Sequence, residues 1–376
     1  MAGLVNGVFR PKVSKYLRQL IKHVQETEGE DSGAYKALVN QYVYSEKEEE
    51  KHEEVNLKHY EAIVEEDDSK GLPKGIERLY RRQLVIDITM VCAAHCRYCL
   101  RAYYDTSQLK KSDIDRIVEY CAKDINLKEV LVTGGDPFMV PNLLKYLITT
   151  LVEKAPNIKV VRIGTRVPVQ EPKMLNDEMF SFLKNYSKSL MIEVAIQINH
   201  PIELQPVTLE ILRKLQDSGV RIYSQNVLLK DVNDDIDTLI TLYDELRYLG
   251  IEAHYLFHSI PMKGTNHLRT SVAKGLKLIK QLTSSGMISG RVKPTYALMT
   301  YIGKVTLYDG TILKKDDSGY LHIKTNYRVS DRQIWNETYQ LPKDQAYEDE
   351  DGFIIAKYLD GDDHTHIAVN LIDGDK

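Results

Sequence analysis

Three cysteines fall within eight residues: Cys92, Cys96 and Cys99, in the segment Thr89-Met90-Val91-Cys92-Ala93-Ala94-His95-Cys96-Arg97-Tyr98-Cys99. The spacing is C-x3-C-x2-C, and it directly follows the apolar run 84–89. Three thiolates held this close can ligate three irons of a [4Fe-4S] cubane. The fourth iron then has no protein ligand and keeps an open position for a small chelating molecule. A structural zinc instead wants four ligands, usually as two short pairs. His95 lies between two of the cysteines and is badly placed to complete such a set. The remaining cysteine, Cys121, shares a helical face with Ile114, Ile117 and Val118. A small buried hydrophobe is expected there.

One strand further on, the chain reads Thr133-Gly134-Gly135-Asp136-Pro137. Glycines at a strand end let backbone approach a ligand closely. Peptide groups there, with the Asp136 carboxylate, are expected to grip an ammonium. The two motifs together suit S-adenosylmethionine (SAM), whose amino and carboxylate groups can chelate an open iron. Electron transfer would then cleave the sulfonium and release a 5′-deoxyadenosyl radical. Gln197 and Gln225, on later strands, join Thr133 to Asp136 as candidate cofactor contacts.

Beyond these motifs the chain resembles the lysine 2,3-aminomutase family of radical SAM enzymes. The matching segments run in order: 92–101 (CAAHCRYCLR), 129–137 (EVLVTGGDP), 162–168 (RIGTRVP), 199–201 (NHP), 225–234 (QNVLLKDVND) and 267–275 (HLRTSVAKG). They cover roughly residues 75–305. The resemblance implies a partial (β/α) barrel of the TIM type, a [4Fe-4S] cluster, SAM and pyridoxal 5′-phosphate (PLP). It implies that Arg101, two residues past the last cluster cysteine, binds the substrate carboxylate, for which a guanidinium fork is well shaped. It implies that Arg78 and Arg82, four apart before the first strand, lie near the PLP phosphate. The implied partners are an amino acid substrate, an electron donor such as flavodoxin or ferredoxin, and further copies of the chain.

The match departs from the family at two places. The Gly-rich loop before the PLP lysine is reduced to Gly303-Lys304. Lys304 is therefore either the Schiff-base lysine or an exposed lysine between strands. The two aspartates that face the distal ammonium in lysine-specific members are missing; the aligned positions are near Met299 and His258. A cationic side chain without partners in a closed site is costly, which argues against free L-lysine.

The elements that must position these residues show in the apolar periodicity. Short apolar runs at 84–89, 129–133, 160–164, 190–198, 220–229, 253–260 and near 294–300 alternate with amphipathic stretches. The helix signals are Ser112 ahead of Ile114, the Leu143 to Leu151 stretch, a stop at Gly219 and another at Gly250. Such strand–helix units make a parallel sheet with helices outside, and its chemistry sits where the strands end. Residues 1–75 read as a helical N-terminal region: Ser14 caps one helix bearing Leu17, Leu20, Ile21 and Val24, and a second spans roughly 34–64. The acidic run 46–54 within it reads as a solvated helix face. Residues 76–304 form the barrel, and 305–376 a small, polar, β-rich extension with strand-like pieces at 319–323 and 353–358.

Composition sets outer bounds. The 376 residues are 43% hydrophobic, enough for one large core with appendages. A net charge of −4 with mixed signs does not suit a dedicated nucleic-acid binder. No apolar run approaches the roughly 18 residues of a membrane span, and no secretory signal is visible at the N-terminus. The cytoplasm, which is reducing, is the expected location. The leading functional reading is an amino acid 2,3-aminomutase that uses SAM and PLP. The alternative keeps the radical, drops PLP and acts on a peptide or modified metabolite. A third possibility is a non-catalytic cluster-binding scaffold, which would not cleave SAM.

Overall fold

The computed structural model describes residues 4–5, 8–52, 72–78, 80–102, 108–284, 288–307, 311–325, 327–334, 336–342 and 344–361. Its centre is a nine-stranded sheet. The strands are β1 (Ile76–Glu77), β2 (Gln83–Thr89), β3 (Glu129–Gly134), β4 (Val160–Thr165), β5 (Met191–Ile196), β6 (Arg221–Leu228), β7 (Glu252–His258), β8 (Thr295–Thr300) and β9 (Gly303–Thr306). Spatial order follows chain order, β9 to β1. Strands β2 to β8 are parallel, and the short edge strands β1 and β9 pair antiparallel with their neighbours. All seven predicted strands are present.

Period-two alternation explains how the sheet serves two faces. Leu84, Ile86 and Ile88 turn outward and are fully buried against the helices, as are Val130, Val132, Val161 and Ile163. Each such side chain is worth about 1.5–3 kcal/mol on burial. Their neighbours Gln83, Val85, Leu131, Thr133, Arg162 and Gly164 turn inward and line one cavity.

Helices cover the outer face. They include α3 (Lys111–Lys123), α4 (Pro141–Lys154), α5 (Asp177–Tyr186), α6 (Pro206–Asp217), α7 (Ile236–Tyr248) and α8 (Val272–Ser284). Gly219 and Gly250 follow α6 and α7 with φ of 77° and 70°, the left-handed turn that ends a helix. Ser112 is not the cap of α3: the N-cap position is Lys110, whose N–H donates to Asp113 at 2.7 Å. Cys121 is fully buried on the inner face of α3, as its spacing predicts.

The N-terminal region begins with α1 (Lys15–Glu28) and α2 (Gly33–Tyr42). Ser14 caps α1 by accepting from Leu17 N–H at 3.0 Å. The expected second helix stops at Tyr42 and is followed by a 3-10 turn over Glu46–Glu49; residues 53–71 lie outside the described residues. The solvated-face reading of the acidic run fails at Glu48, which is 2% exposed.

The C-terminal extension holds a four-stranded antiparallel sheet: β10 (Ile312–Lys315), β11 (Tyr320–Lys324), β12 (Ala346–Glu348) and β13 (Ile354–Leu359), in the order β10-β11-β13-β12. It docks on the barrel. Arg269 donates to Ser259 O at 3.1 Å and to Leu359 O at 2.8 Å, and Asp360 accepts from Val272 N–H at 2.7 Å. It also links the two edges of the open barrel. Tyr327 donates to Lys304 O on β9 at 2.5 Å, and its hydroxyl lies 3.4 Å from that of Tyr80, just ahead of β2.

Candidate active site

The cavity opens at the C-terminal ends of the parallel strands. Cys92, Cys96 and Cys99, Arg101, Thr133, Gly134, Gly135, Asp136, Gln197, Gln225 and Lys304 all line it. The sequence separates the first and last of these by more than two hundred residues; the fold brings them to one cavity.

The cysteine loop is gripped from outside. Arg97 donates through Nε to Glu48 at 2.8 Å and through Nη2 to both the same carboxylate and Phe9 O. His95 N–H donates to Lys12 O at 2.8 Å, Arg97 N–H to Gln41 O at 2.9 Å, and Lys12 Nζ to Cys92 O at 2.6 Å. Ala94 packs into the apolar cluster of α1 and α2 with Leu17, Leu38 and Tyr42. The N-terminal region thus fixes the loop that carries the thiols.

Cys92, Cys96 and Cys99 face one cavity, and three cysteine thiols are the donor set that would hold three irons of a cubane. Burial pushes the Cys92 thiol well above its usual range and Cys99 up to about 11. Such thiols stay protonated until a metal displaces the proton. The Cys96 sulfur already accepts from Arg166 Nη1 at 3.0 Å and Gln170 Nε2 at 3.3 Å.

Gly134 and Gly135 do more than face a ligand. Gly134 has φ of 101°, and a Cβ on Gly135 would lie 2.5 Å from Val91 O. Gly135 N–H donates to Thr89 O, and Asp136 N–H to Val91 O at 2.8 Å. The glycines let the second strand end press against the start of the cysteine loop. Asp136 is 3% exposed and its carboxylate is filled from within. It accepts from Thr165 Oγ1 at 2.8 Å, from the N–H groups of Arg166 and Val167 at 2.8 and 3.0 Å, and from Phe138 N–H at 3.1 Å. Burial raises its pKa, and these donors pull it back. These contacts tie the Asp136 carboxylate to the loop after β4, while Asp136 also lines the cavity.

Arg101 lies at the cavity with its guanidinium held by Asp87 at 3.0 Å and Glu77 at 3.1 Å. Burial is the main cause of a raised Glu77 pKa, opposed by Arg101. Lys304 is half-buried, with Nζ 4.0 Å from the centre of the Tyr255 ring. Burial, helped by Arg162, pulls its amine down to about 8. That environment fits a reactive lysine better than an exposed one. Arg78 and Arg82, expected near a PLP phosphate, are not among the residues that line this cavity. Arg78 turns to α3, donating to Tyr120 OH at 2.5 Å and Asp124 at 2.7 Å. Arg82 is exposed. Met299 and His258 do line the cavity, and His258 Nδ1 lies 2.6 Å from Tyr296 OH.

The residue sequence reasoning missed is Arg166, 8% exposed beside Cys96. Its Nη2 reaches Gln41 Oε1 at 3.0 Å and Glu203 Oε1 at 2.5 Å, and Nη1 also donates to Tyr98 OH. Asn199 Nδ2 donates to Tyr98 OH at 2.7 Å and to Gln41 Oε1 at 3.0 Å. The RIGTRVP and NHP segments contain Arg166 and Asn199, so the signal was present without a role attached to it.

A half-barrel with three cysteines after its first parallel strand, and glycines after the next, defines a radical SAM enzyme. The radical SAM superfamily profile matches residues 86–242. The chain is 33% identical over 262 residues to a putative L-lysine 2,3-aminomutase from Aquifex aeolicus, covering 68% of each. It is 33% identical to a glutamate 2,3-aminomutase from Clostridioides difficile, over 60% of this chain and 53% of that one. It is 30% identical to the L-lysine 2,3-aminomutase of Clostridium subterminale, over 62% of this chain and 56% of that one. The chain belongs to the lysine 2,3-aminomutase family, and spans little more than half the length of the latter two relatives. A [4Fe-4S] cluster and SAM come with that membership. Among the described residues, no helix is long and apolar enough to cross a membrane.

Proposed function

We propose that the protein is a PLP-dependent radical SAM aminomutase that moves an amino group from the α to the β carbon of an amino acid. The observation that carries this is the sharing of one cavity by Lys304, Arg101 and the three cysteines. When bound, the cluster and SAM supply a 5′-deoxyadenosyl radical, and PLP supplies a conjugated ring across which nitrogen can move.

The chain's own residues hold and orient. Cys92, Cys96 and Cys99 hold the cluster, with donors from Arg166 and Gln170 on one sulfur. Thr133, Gly134, Gly135, Gln197 and Gln225 line the adjoining wall, where SAM fits. Arg101 receives the substrate carboxylate, aimed by Glu77 and Asp87. Lys304 anchors PLP, and its depressed pKa lets a proton leave Nζ near neutral pH. His258 and Met299 stand where a lysine-specific site would carry carboxylates. The substrate is an α-amino acid other than lysine, or lysine held in a different frame, and the protein works in the reducing cytoplasm.

A second reading keeps the radical without PLP. It is favoured by the placement of Arg78 and Arg82 away from the cavity. One experiment separates the two. Protein reconstituted anaerobically with iron, sulfide and PLP is incubated with SAM, dithionite and candidate amino acids. A PLP absorption band lost on borohydride, a β-amino acid product and SAM that is regenerated support the first reading. SAM cleavage without PLP uptake supports the second.

A further inference from the structure

The chain carries more acids than bases, 54 against 50, yet the stretch 10–25 holds Arg10, Lys12, Lys15, Arg18 and Lys22 and no acid. All five are exposed. Lys15, Arg18 and Lys22 follow i, i+3, i+7 spacing on α1, so they form one stripe. The buried stripe of the same helix is Leu17, Leu20 and Val24. Lys12, Arg18 and Lys22 line a surface groove with Val13 and Ile21, and among the described residues no carboxylate lines it. Lys22 has a solvated partner in Glu26, at 3.6 Å, on the turn beyond.

This groove touches the cysteine loop. Lys12, one of its walls, donates Nζ to Cys92 O at 2.6 Å and accepts His95 N–H at 2.8 Å. Arg10 O lies 2.7 Å from His95 Nδ1. A positive surface therefore sits on the backbone of a cluster cysteine.

We propose that this groove docks a small acidic electron-transfer protein that reduces the cluster. The inference rests on the cluster reading above. SAM cleavage needs one electron on the cluster, and tunnelling falls steeply with distance, so a donor must dock beside the loop. The donor loses one electron and the cluster gains it; no bond forms or breaks. Charge complementarity steers the encounter and makes its rate depend on salt.

The test uses the reconstituted full chain and reduced flavodoxin as the probe, with dithionite as the small-molecule control. Bleaching of cluster absorbance is followed by anaerobic stopped flow. The variant carries Lys15→Glu, Arg18→Glu and Lys22→Glu together; a second carries Gln at the same positions, in case charge reversal impairs folding. At low salt, flavodoxin should reduce the Glu variant at least about tenfold more slowly than the native chain, with the Gln variant between them. Added salt should bring the native rate down toward the variant rate. Iron content and the dithionite rate should not change. Native-like flavodoxin rates in both variants at low salt would overturn the docking site. A native chain that takes up no cluster overturns the cluster reading as well, and shows itself by the missing absorbance.

Discussion

Arg166 holds its Nη1 3.0 Å from the Cys96 sulfur while its Nη2 lies 2.5 Å from the Glu203 carboxylate. One guanidinium thus joins a cluster thiol to the turn after β5. It also contacts Gln41 of α2 at 3.0 Å, so the N-terminal helices share the same network.

A buried cation on a cluster sulfur favours the reduced, more negative cluster. Arg166→Gln removes that charge and leaves Glu203, 1% exposed, without its counter-ion. The expected loss is about 3–5 kcal/mol of stability, with a lower cluster reduction potential. Arg166→Lys keeps the charge and loses the fork, so both effects should shrink. Urea unfolding and an EPR-monitored redox titration measure the two separately. An unchanged potential in Arg166→Gln would remove the sulfur contact from the account.

Glu48 and Arg97 form a second buried pair, with side chains 2% and 0% exposed. Glu48→Gln should cost about 3–5 kcal/mol, because it leaves the Arg97 cation buried and unpaired. Arg97 also donates to Phe9 O at 2.6 Å, so the variant should loosen the cysteine loop and lower iron uptake on reconstitution. Replacing both members, Glu48→Gln with Arg97→Met, should recover part of the stability. A double variant as unstable as the sum of the singles would refute the pairing.

Much of this was legible in the chain because it is local. Strands follow from inward–outward alternation, as in Leu84, Ile86 and Ile88, and helix ends from Gly219 and Gly250. The thiols and their glycine companion are contiguous motifs. What was not legible depends on partners distant in sequence. Glu48 reads as surface because its partner, Arg97, lies 49 residues away. Arg78 reads as a cavity residue until Asp124, 46 residues on, claims it. Asp136 reads as a free carboxylate because most of its donors, the Thr165 hydroxyl and the N–H groups of Arg166 and Val167, sit about 30 residues on at the end of the next strand, and a sequence does not show where those donors point.

The three loop cysteines and Cys121 should behave oppositely. Cys92→Ala, Cys96→Ala or Cys99→Ala should each abolish cluster absorbance and SAM cleavage, since three ligands are the minimum that leaves one iron open. Cys121→Ala should keep both, because that thiol is buried in the apolar face of α3. Iron analysis after anaerobic reconstitution checks all four. Full iron content in any of the first three would break the assignment of that ligand.

Lys304 supplies the sharpest pH dependence. Only the neutral amine is a nucleophile, and burial with Arg162 nearby brings its pKa down to about 8. Attachment of PLP at this residue, trapped with borohydride and located by peptide mapping, should therefore rise with pH and be half complete near about 8. An ordinary surface lysine would reach that point near pH ~10.4. Lys304→Arg should abolish the trapped adduct. Arg162→Met should move the midpoint upward, for two reasons of the same sign. It removes a neighbouring positive charge, and it frees Glu129 and Glu193, now 3.6 and 3.1 Å from Arg162, to stabilise the ammonium form. A midpoint near that of a solvated lysine would mean the amine faces water rather than the cavity, and Lys304 would then be no more than an edge residue of β9.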